Sequence, residues 1–322
     1  MLRRGVQSSA GIKIDSKEHH GRHSRFGRNR LPGGLTAVVV VGLLAYFVFI
    51  YVLPIAQAFW YSVNIYDLQS SHTQFVGLRN FERLLGDEHF WAGLRITVVF
   101  TLLDIGIGLP LALGLAAILT SMRGARRSVP LALIFLPTVM PDMAVILIWQ
   151  SMLQPQQGLL DMAFSTVGLG PMGWLSSAGL ALGVIVTMTV WKYLGFNVVF
   201  WITGLTQLPV EVYEAAALDG AGKLRQFFSI SLPLLRPLLV YWVVVAVIQL
   251  AQFLGPFLAI TQGDSGAQIR SQTQPLILYL YNEGFRRLNI SYAAAMTVVL
   301  FVILVTLSWV QLRAWRSHLV AK

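Results

Sequence analysis

The chain reads as an all-α, polytopic membrane protein with six transmembrane helices, and three observations carry that reading. Of its 322 residues, 56% are hydrophobic and 12% charged, against about 25% charged in an average soluble domain. Its mean hydropathy is +0.66. Six charge-poor runs are each long enough to cross a hydrocarbon core of about 30 Å at a rise of about 1.5 Å per residue.

The first run, Leu35–Tyr61, lies within a charge-free stretch from Leu31 to Tyr66. It is too long for a signal-peptide core and ends in no small-residue cleavage pattern, so a retained span is expected. The others are Trp91–Leu119, Val129–Leu153, Ala178–Gly204, Leu238–Ile260 and Ile290–Leu312. Six crossings place both termini on one side, together with the loops around Ser121–Ser128 and Thr206–Arg236. That side holds 17 Lys and Arg against 6 on the other, with Lys192 inside a span. The positive-inside rule therefore puts both termini in the cytoplasm. This distribution accounts for the net charge of +10 through membrane lipid rather than nucleic acid. The absence of cysteine excludes disulfides and thiol nucleophiles within the chain.

Residues 1–33 carry eight bases and two acids with no apolar cluster, the composition of a disordered or lipid-associated cytoplasmic tail. Its His19, His20 and His23 read as incidental. Residues 34–322 form the six-span domain. Outside the spans, "FVGLRNFERLL" (Phe75–Leu85) has Phe81, Leu84 and Leu85 at helical spacing, which predicts a short surface helix. "GLGPMGWLS" has the glycines and proline of a turn or re-entrant loop.

Between spans four and five, at about 206–236, the pattern changes. Pro209 suits a first helical position, and Val210–Asp219 predicts a short helix whose Ala215, Ala216 and Ala217 add almost no bulk. Gly220 suits the left-handed residue that ends it. Leu224, Phe227 and Phe228 then predict one apolar face, with Pro233 and Pro237 ending the second helix. Either a docking element or an inter-helix loop on the lipid surface fits these residues.

Ionisable groups inside spans cost about 2.5–3.5 kcal/mol each on insertion scales and face a bundle interior or aqueous cavity. Asp104, Asp142 and Lys192 are such groups, and Lys192 is expected to pair with Asp142 or Asp104. On span five, Trp242, Gln249, Gln252 and Pro256 fall on one face; on span three, Asp142 and Trp149 share a face, with Gln150 adjacent. Indole rings beside amides suit a sugar; packing between helices is the other reading. Gly106, Gly108, Pro110 and Gly114 interrupt span two, where close packing is expected. "DGAGKL" lacks the first glycine and the hydroxyl of a phosphate loop, and "GDSG" lacks a nucleophile elbow. No catalytic, metal or cofactor site is expected.

The spacing of Glu214, Ala215, Ala216, Gly220, Ile230, Leu232 and Pro233 resembles the EAA loop of permease subunits in binding-protein-dependent ABC importers. "LIFLPTVMP", "WKYLGFNVVFWITGLTQLPVEVYEAAALDGAG" and "SISLPLLRPLL" are similar to the sugar branch, in particular its maltose-like and glycerol-phosphate-like first permease subunits. The resemblance covers nearly the whole chain from about residue 35. It implies a bacterial inner-membrane subunit without enzyme activity that imports a sugar, a di- or oligosaccharide above all. The implied partners are a second homologous permease, two ATPase subunits holding ATP and Mg, and an extracytoplasmic sugar-binding protein. It further implies that Glu214 faces a basic residue of the ATPase, that Ala215 and Ala216 permit close approach, and that Gly220 makes the turn. One segment departs from the family: after span five the chain reads "TQGDSGAQIRSQTQ" where a Gly-Gly-Pro turn is usual. An ion-coupled secondary transporter using Asp104, Asp142 and Lys192 is the alternative.

Overall fold

The computed structural model describes residues 33–66, 72–154, 157–166, 168, 174, 178–260 and 273–320. Among the described residues, five helices are long and apolar enough to cross a membrane, or six if a bent pair is counted as one span. The histidines near the N-terminus, "GDSG" and most of "GLGPMGWLS" and "TQGDSGAQIRSQTQ" lie outside the described residues.

Contacts divide the chain into two units at Leu53–Pro54. The described part of the first is helical from Gly33 to Phe47, with a π turn at Val48–Val52. Its side chains from Ala37 to Leu53 are exposed and apolar, as suits a helix solvated by lipid.

The second unit is built on spans two and four, Glu88–Thr120 and Ala178–Thr206, which pack along much of their lengths. Small residues allow the approach: Gly108 lies against Val190, where an added Cβ would stand 3.5 Å from its Cγ2. Buried clusters succeed one another along span two. Leu84, Phe90, Leu276, Tyr292 and Met296 surround its start. Phe100, Ile185, Val190, Phe257 and Leu278 surround its middle. Ala112, Ala116, Leu119, Val198, Trp201 and Leu235 surround its end. Burial at these sites removes apolar side chains from lipid without a hydrophobic gain, so shape and small residues decide the packing.

Span three is not the single helix that its run of apolar residues predicts. It comprises Ala125–Phe135, a 3-10 turn at Leu136–Val139, and Asp142–Met152, bent by 98°. Two prolines explain the knee. Pro137 sits in the 3-10 turn, and Pro141 (φ −57°, ψ 141°) is the extended residue from which the second half starts; a proline restricts the residue before it to extended conformations and withholds a donor. The knee rests on span four at Gly195, where an added Cβ would lie 2.5 Å from Phe135 Cα and 2.6 Å from the Ile134 carbonyl oxygen. Backbone cannot move aside as a side chain does. Gly195→Val is therefore expected to destabilise the unit by about 3 kcal/mol, the upper end for overpacking, measured as a lowered thermal midpoint of the purified protein in detergent.

Two further expectations need correction. Pro237 does not end a helix. It stands in the first turn of Arg236–Ala251, where its missing N–H costs nothing, whereas Pro233 lies in the last turn of the helical run from Lys223 to Leu234. The predicted apolar face of Leu224, Phe227 and Phe228 is split by a π turn at Phe227–Ser231. Phe227 packs on the core, while Leu224 and Phe228 stay exposed. Span five breaks at Gln252 and resumes as Gly255–Ile260.

Candidate functional site

The segment between spans four and five carries the first candidate site. Val210–Leu218 is a nine-residue helix entered through extended Pro209. Its end is fully capped: Gly220 N–H donates to the Ala217 carbonyl at 3.0 Å and Ala221 N–H to that of Ala216 at 2.9 Å. This is a Schellman motif, with Gly220 at φ +76° in the left-handed position where L side chains are strained. Glu211, Glu214, Ala215, Ala217 and Leu218 are exposed, and Ala216 is half-buried. The Tyr213 hydroxyl meets buried Ser231 Oγ at 2.8 Å, tying the helix to the chain that leads into span five. Ile230, Leu232 and Pro233 are half-buried on that return path. The segment thus offers a rigid helix with a smooth outer surface, one edge of which is acidic.

The second candidate site lies midway along span four. Lys192 Nζ makes an ion pair with Asp142 Oδ1; of the two expected partners, the structure selects Asp142. Thr138 Oγ1 donates to the Lys192 carbonyl at 2.9 Å, and Tyr193 Oη lies 3.5 Å from Asp142 Oδ1. The pair therefore holds the knee of span three against span four. Asp142 also opens the second half-helix, where the helix dipole favours a carboxylate. Asp104 is buried beside Gly108, and its Oδ2 has no hydrogen-bond partner among the described residues.

The candidate sugar-contacting residues Asp142, Trp149, Gln150, Trp242, Gln249 and Gln252 do not form one cluster. Trp242 is buried against Trp201 and donates to Asn197 Oδ1 at 3.1 Å. Gln150 Nε2 donates to the Ala259 carbonyl at 3.3 Å, joining the broken halves of spans three and five. Trp149 stands edge-on to Trp191 at 6.0 Å. Gln249 and Gln252 are exposed, Gln252 at the point where span five breaks. Tyr193 and Phe253 stand edge-on at 6.2 Å beside this break, a placement that the sequence marks only through the Gly-Pro pair at 255–256.

Asp87, also missed, organises the end of the bundle opposite the EAA segment. It caps span two by accepting from His89 N–H at 2.9 Å, accepts from Tyr279 Oη at 2.6 Å, and accepts from Tyr292 Oη. Burial pushes its carboxyl up, but these bonds and the Phe90 amide outweigh that and hold it below the usual carboxylate value. Burial and then the bond to Asp87 push the Tyr279 phenol up. Because the folded-state value of Asp87 is depressed, its contribution is full above the unfolded value of about 3.9 and is lost as pH falls through the folded one. Asp87→Ala is expected to cost about 2–3 kcal/mol, the range for bonds to a charged group, with a loss that is constant from pH 5 to 8; thermal melts across that range check it. The Gly-Asp-Glu sequence at 86–88 is the capping signal that sequence reading passed over.

Among the described residues no cluster of His, Asp or Glu could hold a metal. A model of the family described as "Binding-protein-dependent transport system inner membrane component" matches residues 108–314. The chain is 33% identical over 281 residues to the sn-glycerol-3-phosphate transport system permease protein UgpA of Yersinia pseudotuberculosis, covering 87% of this chain and 93% of that protein. The protein of the same name from Salmonella typhimurium is 32% identical over 284 residues, with the same coverage. In fold, the chain matches a bacterial ABC transporter involved in the import of the acidic polysaccharide alginate, with a TM-score of 0.78 at 17% identity, covering 88% of this chain and 96% of that one. The ion-coupled alternative gains nothing from these likenesses. The chain belongs to the family of inner membrane components of binding-protein-dependent transport systems, as a multi-pass permease subunit of an ABC importer and not an enzyme.

Proposed function

We propose that the chain forms half of an inward pathway for an uncharged di- or oligosaccharide, enclosed with a second homologous permease, and that Val210–Gly220 docks one of two ATPase subunits. Both termini and the EAA loop then face the cytoplasm, residues 1–33 form a basic tail before the six-span domain, and an extracytoplasmic binding protein delivers the sugar. ATP and Mg belong to the ATPases; this chain binds no cofactor. The exposed, rigidly capped EAA helix carries the reading. A short helix without its own core needs a partner, and this one presents Glu214 to a basic side chain and Ala215 and Ala216 to a close surface. Docking must differ between two states for ATP to shift the pathway; Tyr213 and Ser231 give the helix a fixed link to span five through which a movement passes.

For the substrate, Asp142, Trp149, Gln249 and Gln252 remain available at the membrane-buried level. Gln150 ties the second half of span three to Gly255–Ile260, while Trp242 is taken up by Trp201 and Asn197 and Asp104 lies beside Gly108. Lys192 is the cation deep within a span, Arg95 lying near the start of span two, and Asp142 already neutralises Lys192. That leaves hydroxyl-binding groups and indole faces, which suit an uncharged sugar rather than a phosphorylated one. Proteoliposomes holding the complete importer test this. ATP-dependent uptake of a neutral disaccharide, with little of glycerol 3-phosphate, is expected. Uptake driven by an ion gradient without ATP would overturn the importer reading, and preference for the phosphate would overturn the substrate class.

A further inference from the structure

An apolar groove of about 1310 Å³ opens beside the EAA segment, between span two, the end of span four and the start of span five. Along span two its wall runs from Leu109 to Ser121. Twelve residues of helix rise about 18 Å, close to the half-thickness of a hydrocarbon core of about 30 Å. The groove therefore runs from the membrane surface on the EAA side to about the midplane, which is the reach of one leaflet.

Its chemistry is divided along that length. The polar wall side chains turn donors back onto the protein: Thr120 Oγ1 donates to the Ala116 carbonyl, Ser121 Oγ to that of Ile118, Thr206 Oγ1 to that of Thr203 and Gln226 Nε2 to that of Ala221, while Tyr213 Oη and Ser231 Oγ bond each other. Most of what the wall offers an occupant is hydrocarbon surface. Among the described residues, the charged ones in the lining are Lys223 and Arg236. Both are exposed and both lie at the loop end.

We propose that this groove binds an anionic phospholipid of the leaflet on the EAA side, its phosphate held by Lys223 and Arg236 and an acyl chain lying along Leu113, Gly114 and Ala117. Charge selects this occupant over the chain's own basic tail, whose eight bases in residues 1–33 the rim repels. The site lies outside the pathway residues and is built in part from the EAA segment, with Val210 and Tyr213 of the docking helix in its wall, so an occupied groove braces that helix against span two.

The test uses the complete importer in phosphatidylcholine nanodiscs doped with photoreactive phosphatidylglycerol or, separately, photoreactive phosphatidylcholine. Phosphatidylglycerol is expected to label Leu109–Ser121 and Phe227–Leu239. A basic residue near the surface is worth about fivefold in affinity for anionic lipid, so Lys223→Gln with Arg236→Gln cuts that labelling by about 25-fold and leaves phosphatidylcholine labelling unchanged. Gly114→Phe, at a position where an added Cβ meets nothing within 4 Å, fills the groove and lowers labelling by both lipids. Equal labelling by the two lipids, or labelling indifferent to the charge variants, overturns the proposal. So does efficient cross-linking of Gly114→Cys to the second permease, which would mean that a protein helix fills the groove.

Discussion

Asp142→Leu is expected to destabilise the protein by about 3–5 kcal/mol, while Lys192→Met costs about 1–2 kcal/mol. The asymmetry follows from exposure. The Lys192 side chain is 8% exposed and that of Asp142 54%. Removing Asp142 strands an ammonium in a dry site, the costly way to break a buried pair. Removing Lys192 leaves a carboxylate that still reaches the open side of the knee. The double variant is expected to recover most of the loss, because no unpaired charge remains. Thermal midpoints of the four proteins of the cycle decide it. Additive losses, or a larger loss for Lys192→Met, would mean that the two charges do not act as a pair.

Gly220→Val is expected to strip the ATPase from the complex at least tenfold, with Gly220→Asn close to wild type. A β-branched residue at φ +76° is strained by about 1–2 kcal/mol or more, whereas asparagine tolerates the left-handed region. The strain is relieved by undoing the Schellman bonds, so the helix loses its fixed end. Glu214→Arg acts without any change of fold, since Glu214 is exposed; like charges meeting at the interface are expected to have a similar effect. Co-purification of the tagged chain with its ATPase measures all three. Equal retention by Gly220→Val and Gly220→Asn would show that the turn is immaterial to docking.

Much of this was legible because membrane insertion writes itself in long, charge-free runs. The span ends agree with the structure within a few residues, and the left-handed Gly220 followed from the helix it ends. Direction along the third span was not legible. "LIFLPTVMP" is as apolar as a straight helix, and only Pro137 and Pro141 mark the knee. Prolines mislead a second time at Pro237, since a proline looks the same whether it closes one helix or opens the next. Helical-face arithmetic placed Trp242 with Gln249, yet the partner that settles Trp242 is Asn197, 45 residues away on another span. For the same reason the sequence could not choose between Asp104 and Asp142 for Lys192. Contacts between helices depend on rotations that one-dimensional periodicity does not contain.

The central claim is that Val210–Gly220 is the surface on which the motor sits. The chain has no cysteine, so Ala217→Cys places a single thiol on the exposed face of the EAA helix. A short thiol-to-amine cross-linker applied to the complete importer is predicted to join this residue to the ATPase, with a yield that changes when ATP is added. Cross-links to other partners only, or none while the importer still hydrolyses ATP in response to substrate, would contradict the account.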